Sequence, residues 1–242
     1  IICIGQNPGT NHPRMLSALE RAVENGAQII AINPLKEAGL VGFAHPQKVS
    51  GMLGKSTPLA SQYLQVNLNG DLALLRALGK EILERKSVDS SFIDEHTQGI
   101  ENYRQQCARS DWDTLTNLSG ISQKEIQQLA DTILRGERKL ITCWAMGITQ
   151  HRNAVATIRE ITNIHLLIGA IGRTGAGLCP VRGHSNVQGD RTVGIYEKMP
   201  ESFLAALDHE FGINCPRKHG YDTVESILAM YNGEAKVFFA LG

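Results

Sequence analysis

The sequence has no surplus of charge of either sign: 24 Lys and Arg stand against 24 Asp and Glu in 242 residues. A protein that neutralises nucleic-acid phosphates needs a basic excess, so this balance argues against that class. There is no apolar run long enough to cross a bilayer, so no membrane partner is expected. There is no basic stretch followed by an apolar one, so no secretory leader is visible and a cytoplasmic setting is expected. None of the cysteines, Cys3, Cys107, Cys143, Cys179 and Cys215, pairs as C-x-x-C, and their spacing fits no zinc or iron–sulfur pattern. The set therefore reads as free thiols with no metal site, and Cys3 and Cys143 as small core residues.

The common nucleotide and nucleophile signatures are missing too. No G-x-G-x-x-G is present and no acidic residue follows the second apolar strand as a ribose binder would require, which disfavours plain NAD binding; a P-loop is absent. Without G-x-S-x-G there is no nucleophile elbow, and Ser185 beside His184 would point away from it on an extended chain. No initiator Met and no polar tail are found: the chain opens on Ile1-Ile2-Cys3-Ile4 and closes on Val237-Phe238-Phe239-Ala240-Leu241-Gly242. It is therefore expected to be a piece of a longer protein.

What is present is a repeated strand–helix pattern. Ile1–Ile4 reads as a strand, followed by the polar turn Gly5–Asn11 and a helix opened by Pro13 and ended by Gly26. Residues 28–32 form a continuous apolar strand, as expected in a parallel sheet covered on both faces. Residues 35–62 read as irregular, 63–67 as a short strand, and Asp71 as the cap of the next helix. Residues 89–136 read as helical throughout, with Ser122 and Glu125 as a capping box. Asp94, Glu95 and His96 read as a solvated helix end. Residues 140–145 form a buried strand, 146–150 its exit loop, and 153–171 a long helix with Val155, Ile158, Ile161 and Ile168 inward. Two more helices follow, with Phe203, Leu204, Leu207 and Phe211, then Val224, Ile227, Leu228 and Tyr231, inward. A last strand is expected at 236–241. The pattern predicts a three-layer α/β/α sandwich with a mostly parallel, doubly wound sheet. A helical insert at about 85–136 is expected to pack on it.

The segment Cys179–Arg191 carries two glycines, two arginines, a histidine and several amide or carboxylate side chains. It reads as a ligand loop in which Arg182 and His184 face chemistry, with a solvated surface loop as the plain alternative. Two apolar strands each end in a glycine–amide turn, at Gly5-Gln6-Asn7 and Gly147-Ile148-Thr149-Gln150. In open parallel sheets ligands collect at such turns, where helix starts offer N–H groups to phosphates.

At Gly5-Gln6-Asn7-Pro8, Ala145-Met146-Gly147-Ile148-Thr149-Gln150 and Pro180–Gly189 the chain resembles the molybdopterin oxidoreductases, the formate dehydrogenase and dimethyl-sulfoxide reductase superfamily. The likeness is closest to the formate dehydrogenase H-like alpha-subunit branch and its YdeP-type group. It runs over the whole chain, which would be the central part of such an enzyme, without the N-terminal region or the C-terminal barrel-like domain. It implies a bis-molybdopterin guanine dinucleotide cofactor with molybdenum, and a possible [4Fe-4S] cluster in the missing N-terminal part. Two-electron chemistry on a small-molecule substrate is implied, with an electron-transfer protein as a possible partner. The residues matching its cofactor-binding positions are Gly5, Asn7, Pro8, Asn33, Asp71, Met146, Gly147, Thr149, Gln150, Gly183, Asn186, Gln188 and Gly189. Asn33 and Leu35 stand where members commonly carry Asp-Pro-Arg. Asp71 reads equally as a helix cap and Met146 equally as core filler. Arg182 matches an arginine near molybdenum, suited to orient an oxyanion. His184 replaces the usual glutamine or asparagine and could accept a proton or donate to the pterin. Alone the piece is expected to be empty and inactive, with residues 38–60 and 174–195 poorly ordered. The competing reading is a structural subunit of the same fold without molybdenum. The dense polar set at 180–191 favours the cofactor.

Overall fold

The structure is a computed structural model that describes residues 1–183, 187–194, 196 and 198–239, at 187 and 188 the backbone only. It divides into two units, Ile1–Gly183 and His184–Gly242. In the first unit the elements run β1 (Ile2–Ile4), α1 (Pro8–Asn11), α2 (Pro13–Glu24), β2 (Ile29–Ile32), α3 (Ala38–Val41), β3 (Gly42–Phe43), α4 (Val49–Met52), β4 (Thr57–Pro58) and β5 (Ala60–Leu64). Then follow α5 (Asp71–Glu84), α6 (Ser90–His96), α7 (Ile100–Arg109), α8 (Trp112–Ser119), α9 (Gln123–Leu134), β6 (Ile141–Trp144), α10 (Met146–Thr149), α11 (Ala154–Leu167) and β7 (Gly177–Pro180). The second unit holds α12 (Val187–Thr192), α13 (Glu201–Phe211) and α14 (Thr223–Tyr231).

Five parallel strands form the main sheet in the order β5-β2-β1-β6-β7, and helices cover both faces, as the sequence predicts. Side-chain alternation divides its residues between two cores. Ile2, Ile4, Ile30, Ile32 and Leu64 pack with α5, α9 and α11. Cys3, Ala31 and Cys143 pack on the other face with Leu16 and Leu19 of α2. The first core is the larger, and burying each large aliphatic side chain in it contributes about 2 kcal/mol. The chain steps from β1 outward to β2 and β5, then returns across β1 to β6. This reversal opens a crevice at the carboxyl ends of β1 and β6.

Residues 90–134, expected to be helical throughout, hold four helices separated by short breaks. Gly99 (φ 82°) and Gly120 (φ 74°) take left-handed conformations at the breaks, which helical periodicity does not reveal. The predicted capping box of Ser122 and Glu125 is present at the start of α9. These helices share the larger core with the sheet. Buried Glu160 of α11 binds Arg76 of α5 and accepts from the Tyr103 hydroxyl of α7 at 2.7 Å. Gly79 makes room for that hydroxyl: a Cβ there would sit 2.2 Å from Tyr103 Oη.

Several local expectations are corrected. The segment 35–62 contains two helical turns and the ribbon β3–β4, and β5 begins at Ala60, so the expected strand at 63–67 is displaced. Buried Glu20 ties this segment to α2, taking Lys48 at 2.9 Å and the Thr57 hydroxyl at 3.0 Å. The helix expected to reach residue 171 stops at Leu167. Gly169 has φ 64°, and the Ala170 N–H returns to the His165 carbonyl at 2.8 Å. An unpredicted edge strand, β7, includes Cys179 and Pro180, two residues assigned to the polar loop; an edge tolerates proline. Val155, Phe211, Val224, Ile227, Leu228 and Tyr231, all expected inward, are exposed. Periodicity names an apolar face but not whether another layer covers it. Residues 236–239 form no strand, and residues 240–242 lie outside the described residues.

Candidate functional site

The two glycine–amide turns noted in the sequence meet at the β1–β6 crevice. The Gly147 N–H donates to the Gly5 carbonyl at 3.1 Å. A Cβ on Gly147 would lie 2.5 Å from Gly5 O, and one on Gly5, at φ +56°, would lie 2.9 Å from Ile148 N. Only glycine at both positions lets the turns close on each other. Each turn contains a helical turn, α1 and α10, where sequence reasoning placed irregular chain. Pro8 begins α1 and is buried, and Asn7 caps it by accepting from Thr10 N at 3.3 Å.

Two of the amides assigned to ligand binding, Asn7 and Asn33, have protein partners. Asn7 Nδ2 donates to Glu37 Oε2 at 2.6 Å. Asn33 binds both groups of the Gln6 peptide, accepting from its N–H at 3.1 Å and donating to its carbonyl at 3.0 Å. This paired contact pins the carboxyl ends of β1 and β2 together. Asn33 therefore positions the Gln6 turn. Glu37 is held in turn by Tyr63, whose hydroxyl accepts from Glu37 N at 2.9 Å and donates to Leu35 O at 2.6 Å. Beyond β2 and β5, Pro34, Leu35, Glu37, Gln65 and Leu68 line an open cleft of about 670 Å³.

Asp71 is the first residue of α5, not its cap; the cap position is Gly70, which has no side chain to fill it. Burial pushes the Asp71 carboxyl above the ordinary carboxylate range, opposed by its own backbone N–H and by His151. His151 meets the same turn, its Nδ1 lying 2.9 Å from Asn69 Oδ1. Thus the β5 turn and the β6 turn share one polar edge.

Arg182 and Gly183 leave the end of β7 beside these turns. The Val181 N–H donates to Trp144 O at 2.8 Å. His12 Nε2 lies 2.7 Å from the Arg182 carbonyl oxygen. A Cβ on Gly183 would lie 3.4 Å from Met146 Cγ. Met146 is 40% exposed, which answers the core-filler reading, and the Thr149 hydroxyl donates to its sulfur at 3.5 Å. Gln150 is exposed. The Arg182 side chain is exposed, with no ion pair or hydrogen bond among the described residues. His184, Ser185 and Asn186 lie outside the described residues, as does the side chain of Gln188. Gly189 is in α12, so the second half of the expected loop is helical.

The structure thus brings together Gly5, Asn7, Pro8, Met146, Gly147, Thr149, Arg182 and Gly183, with Asp71 on the neighbouring turn. It adds Gln6, His12, Glu37, Asn69 and His151, which sequence reasoning did not select. Their backbone neighbours were visible as turns; their convergence was not. Gln6 Oε1, His12 Nδ1 and Asn153 Oδ1 are buried without a hydrogen-bond partner among the described residues. Such orphaned atoms are uncommon in a finished protein interior. The 14-residue helices α5 and α11 start at this edge with no side-chain hydrogen bond from the cap position, and helix starts offer N–H groups to anions. A large, polar, anionic ligand fits this combination. No three His, Cys, Asp or Glu among the described residues are placed to hold a metal ion.

Comparison with known proteins agrees in kind. An uncharacterized oxidoreductase of Mycobacterium tuberculosis H37Rv is 54% identical over 248 residues, which is 100% of this chain and 32% of the relative. Protein YdeP of Escherichia coli K12 is 44% identical over 253 residues, covering 100% and 33%. Formate dehydrogenase H of Escherichia coli K12 is 28% identical over 254 residues, with the same coverage. Among solved structures, acetylene hydratase from Pelobacter acetylenicus has a TM-score of 0.59 at 18% identity, covering 72% of this chain and 22% of its own; that likeness concerns the fold alone. The chain spans about a third of the length of these curated relatives. A family model described as molybdopterin oxidoreductase matches residues 1–242, and the chain belongs to that family.

Proposed function

We propose that this chain is the central cofactor-binding part of a molybdenum-dependent oxidoreductase. It binds bis-molybdopterin guanine dinucleotide, and the parent enzyme performs two-electron chemistry on a small substrate in the manner of formate dehydrogenases. The observation that carries this reading is the meeting of the β1 and β6 turns beside Arg182, whose exposed side chain has no ion pair or hydrogen bond among the described residues. The Gln6 and Asn153 side-chain oxygens at the same edge, buried without a partner among the described residues, are suited to ligand contacts. The 28% identity to formate dehydrogenase H supports the reaction class, while His184 in place of an amide keeps formate itself out of the proposal.

When bound, the molybdenum centre supplies the electron or oxygen-atom transfer that side chains cannot. The protein's part is orientation and electrostatics. The close-packed turns around Gly5 and Gly147 hold the pterin and nucleotide portions, helped by Met146, Thr149 and Gln150. Asn186, Gln188 and Gly189 are proposed from the sequence to bind the cofactor as well. Arg182 holds an oxyanion by charge-assisted hydrogen bonds, and His184 accepts or returns a proton. The parent is proposed to act in the cytoplasm, to pass electrons to a protein partner, and to carry a [4Fe-4S] cluster outside these residues. No described helix is long and apolar enough to cross a membrane. The isolated 242-residue piece is proposed to be inactive.

The test is molybdenum and nucleotide analysis of the full-length parent, purified from molybdate-supplied cells. Release of about two GMP per molybdenum is the expected result for a bis-dinucleotide cofactor. Neither molybdenum nor GMP, in cells shown to make the cofactor, would replace this proposal with a structural subunit.

A further inference from the structure

We propose that His12 is a positioning residue for Arg182, holding the backbone from which its guanidinium is presented. The inference rests on the placing of Arg182 under Proposed function. A carbonyl oxygen only accepts, so the 2.7 Å contact to the Arg182 oxygen assigns the proton to Nε2 of His12. Nδ1 of the same ring is buried and has no hydrogen-bond partner among the described residues, so the contact to Arg182 is the one directed bond the ring makes there. His12 occupies the cap position of α2 but makes no side-chain capping bond there. A stabilising cap would be the ordinary reason for a polar residue at that position; here the side chain is committed 170 residues away.

The backbone leaving β7 has few restraints. Val181 N–H is held by Trp144 O at 2.8 Å, and Gly183 passes Met146. Between these, His12 supplies the bond at Arg182 itself. Because the Arg182 side chain has no partner among the described residues, the direction of its first bonds is set by this backbone. A 1 Å displacement of a charged group at a reacting centre can cost about 100-fold in rate. His12 thus acts on the chemistry through Arg182, without touching the substrate.

The test uses the full-length parent with His12→Ala, His12→Gln and Arg182→Ala. The Gln side chain places an N–H donor near the position of Nε2. Two readouts are taken. The first is amide hydrogen exchange in the peptide covering residues 181–183, expected to speed by about fivefold or more in His12→Ala and to return toward wild type in His12→Gln. The second is the Mo(V) electron paramagnetic resonance signal and midpoint potential of the reduced protein. Arg182→Ala should shift both, His12→Ala should shift them in the same sense, and His12→Gln should restore them. If His12→Ala does not accumulate, His12→Leu, which fills the ring's space without a donor, carries the comparison.

Unchanged exchange at 181–183 would overturn the anchoring. Faster exchange with an unmoved Mo(V) signal, where Arg182→Ala moves it, would reduce His12 to a structural contact and overturn the positioning role. A silent Arg182→Ala would instead sink the placing of Arg182 near the reacting centre, and the positioning role with it. A parent without molybdenum overturns the cofactor reading, a failure separated from the others by the metal analysis.

Discussion

At the scale of single residues, the site is built largely from groups whose visible contacts are with the protein. Asn33 and Asn7 were legible as polar residues after apolar strands, but their amides bind the Gln6 peptide and Glu37. The sequence could not show this, because each bond joins positions about thirty residues apart. Asp71 differs: its carboxyl is buried, is in no ion pair among the described residues, and is held above its ordinary range by that burial. A raised carboxylate binds its proton more tightly folded than unfolded. Its contribution to stability is therefore largest at acid pH and declines as pH rises from about 4 through the raised value. Asp71→Asn is expected to raise the thermal unfolding midpoint at pH 7 and to match wild type near pH 4. An equal or lower midpoint at pH 7 would show that the carboxylate is satisfied in the folded chain.

At the scale of elements, β6 and α11 are joined by a buried polar contact that hydrophobic periodicity did not suggest. His165 Nδ1 donates to the Ala170 carbonyl at 3.2 Å, leaving Nε2 to accept from the Thr142 hydroxyl at 2.8 Å. Burial keeps the His165 imidazole below its ordinary range, opposed by the Ala170 carbonyl, so the neutral ring is the folded form. Thr142→Val keeps the strand's shape but leaves Nε2 unpartnered. The expected cost is about 1–3 kcal/mol in urea unfolding; a change within experimental error would mean that the contact adds nothing to the strand–helix junction. The capping box of α9 was legible because its partners are three residues apart. The edge strand β7 was not, because it begins on glycine and ends on proline, which carry little strand propensity, and pairing with β6 draws it into register.

At the scale of the whole molecule, the two units differ in how much they bury. Both apolar cores are complete within residues 1–183. In the second unit, among the described residues, Ala229 alone is fully buried, and the apolar face of α14 is open. A chain of residues 1–183 is therefore expected to unfold cooperatively, within about 4 °C of the 242-residue chain, the shift that about 1 kcal/mol produces at this size. Residues 184–242 alone are expected to give no cooperative transition by circular dichroism. A much larger loss of midpoint in the shorter chain would show that the second unit contributes to the cores.

The sequence by itself determined the layer architecture, the positions of β1, β2 and β6, and the glycine turns after β1 and β6. Those signals are local: apolar strands of three or four residues, helix periodicity, and glycines needing positive φ or close approach. Its polar and glycine-rich motifs also carried the family resemblance. Tertiary structure alone decided that the two turns touch, that Asn33 ties one of them down, that His12 reaches Arg182, and which apolar helix faces remain open. Each of these depends on which strands are neighbours. That order is fixed by packing helices on both faces of a twisted parallel sheet, and no local stretch of sequence contains it.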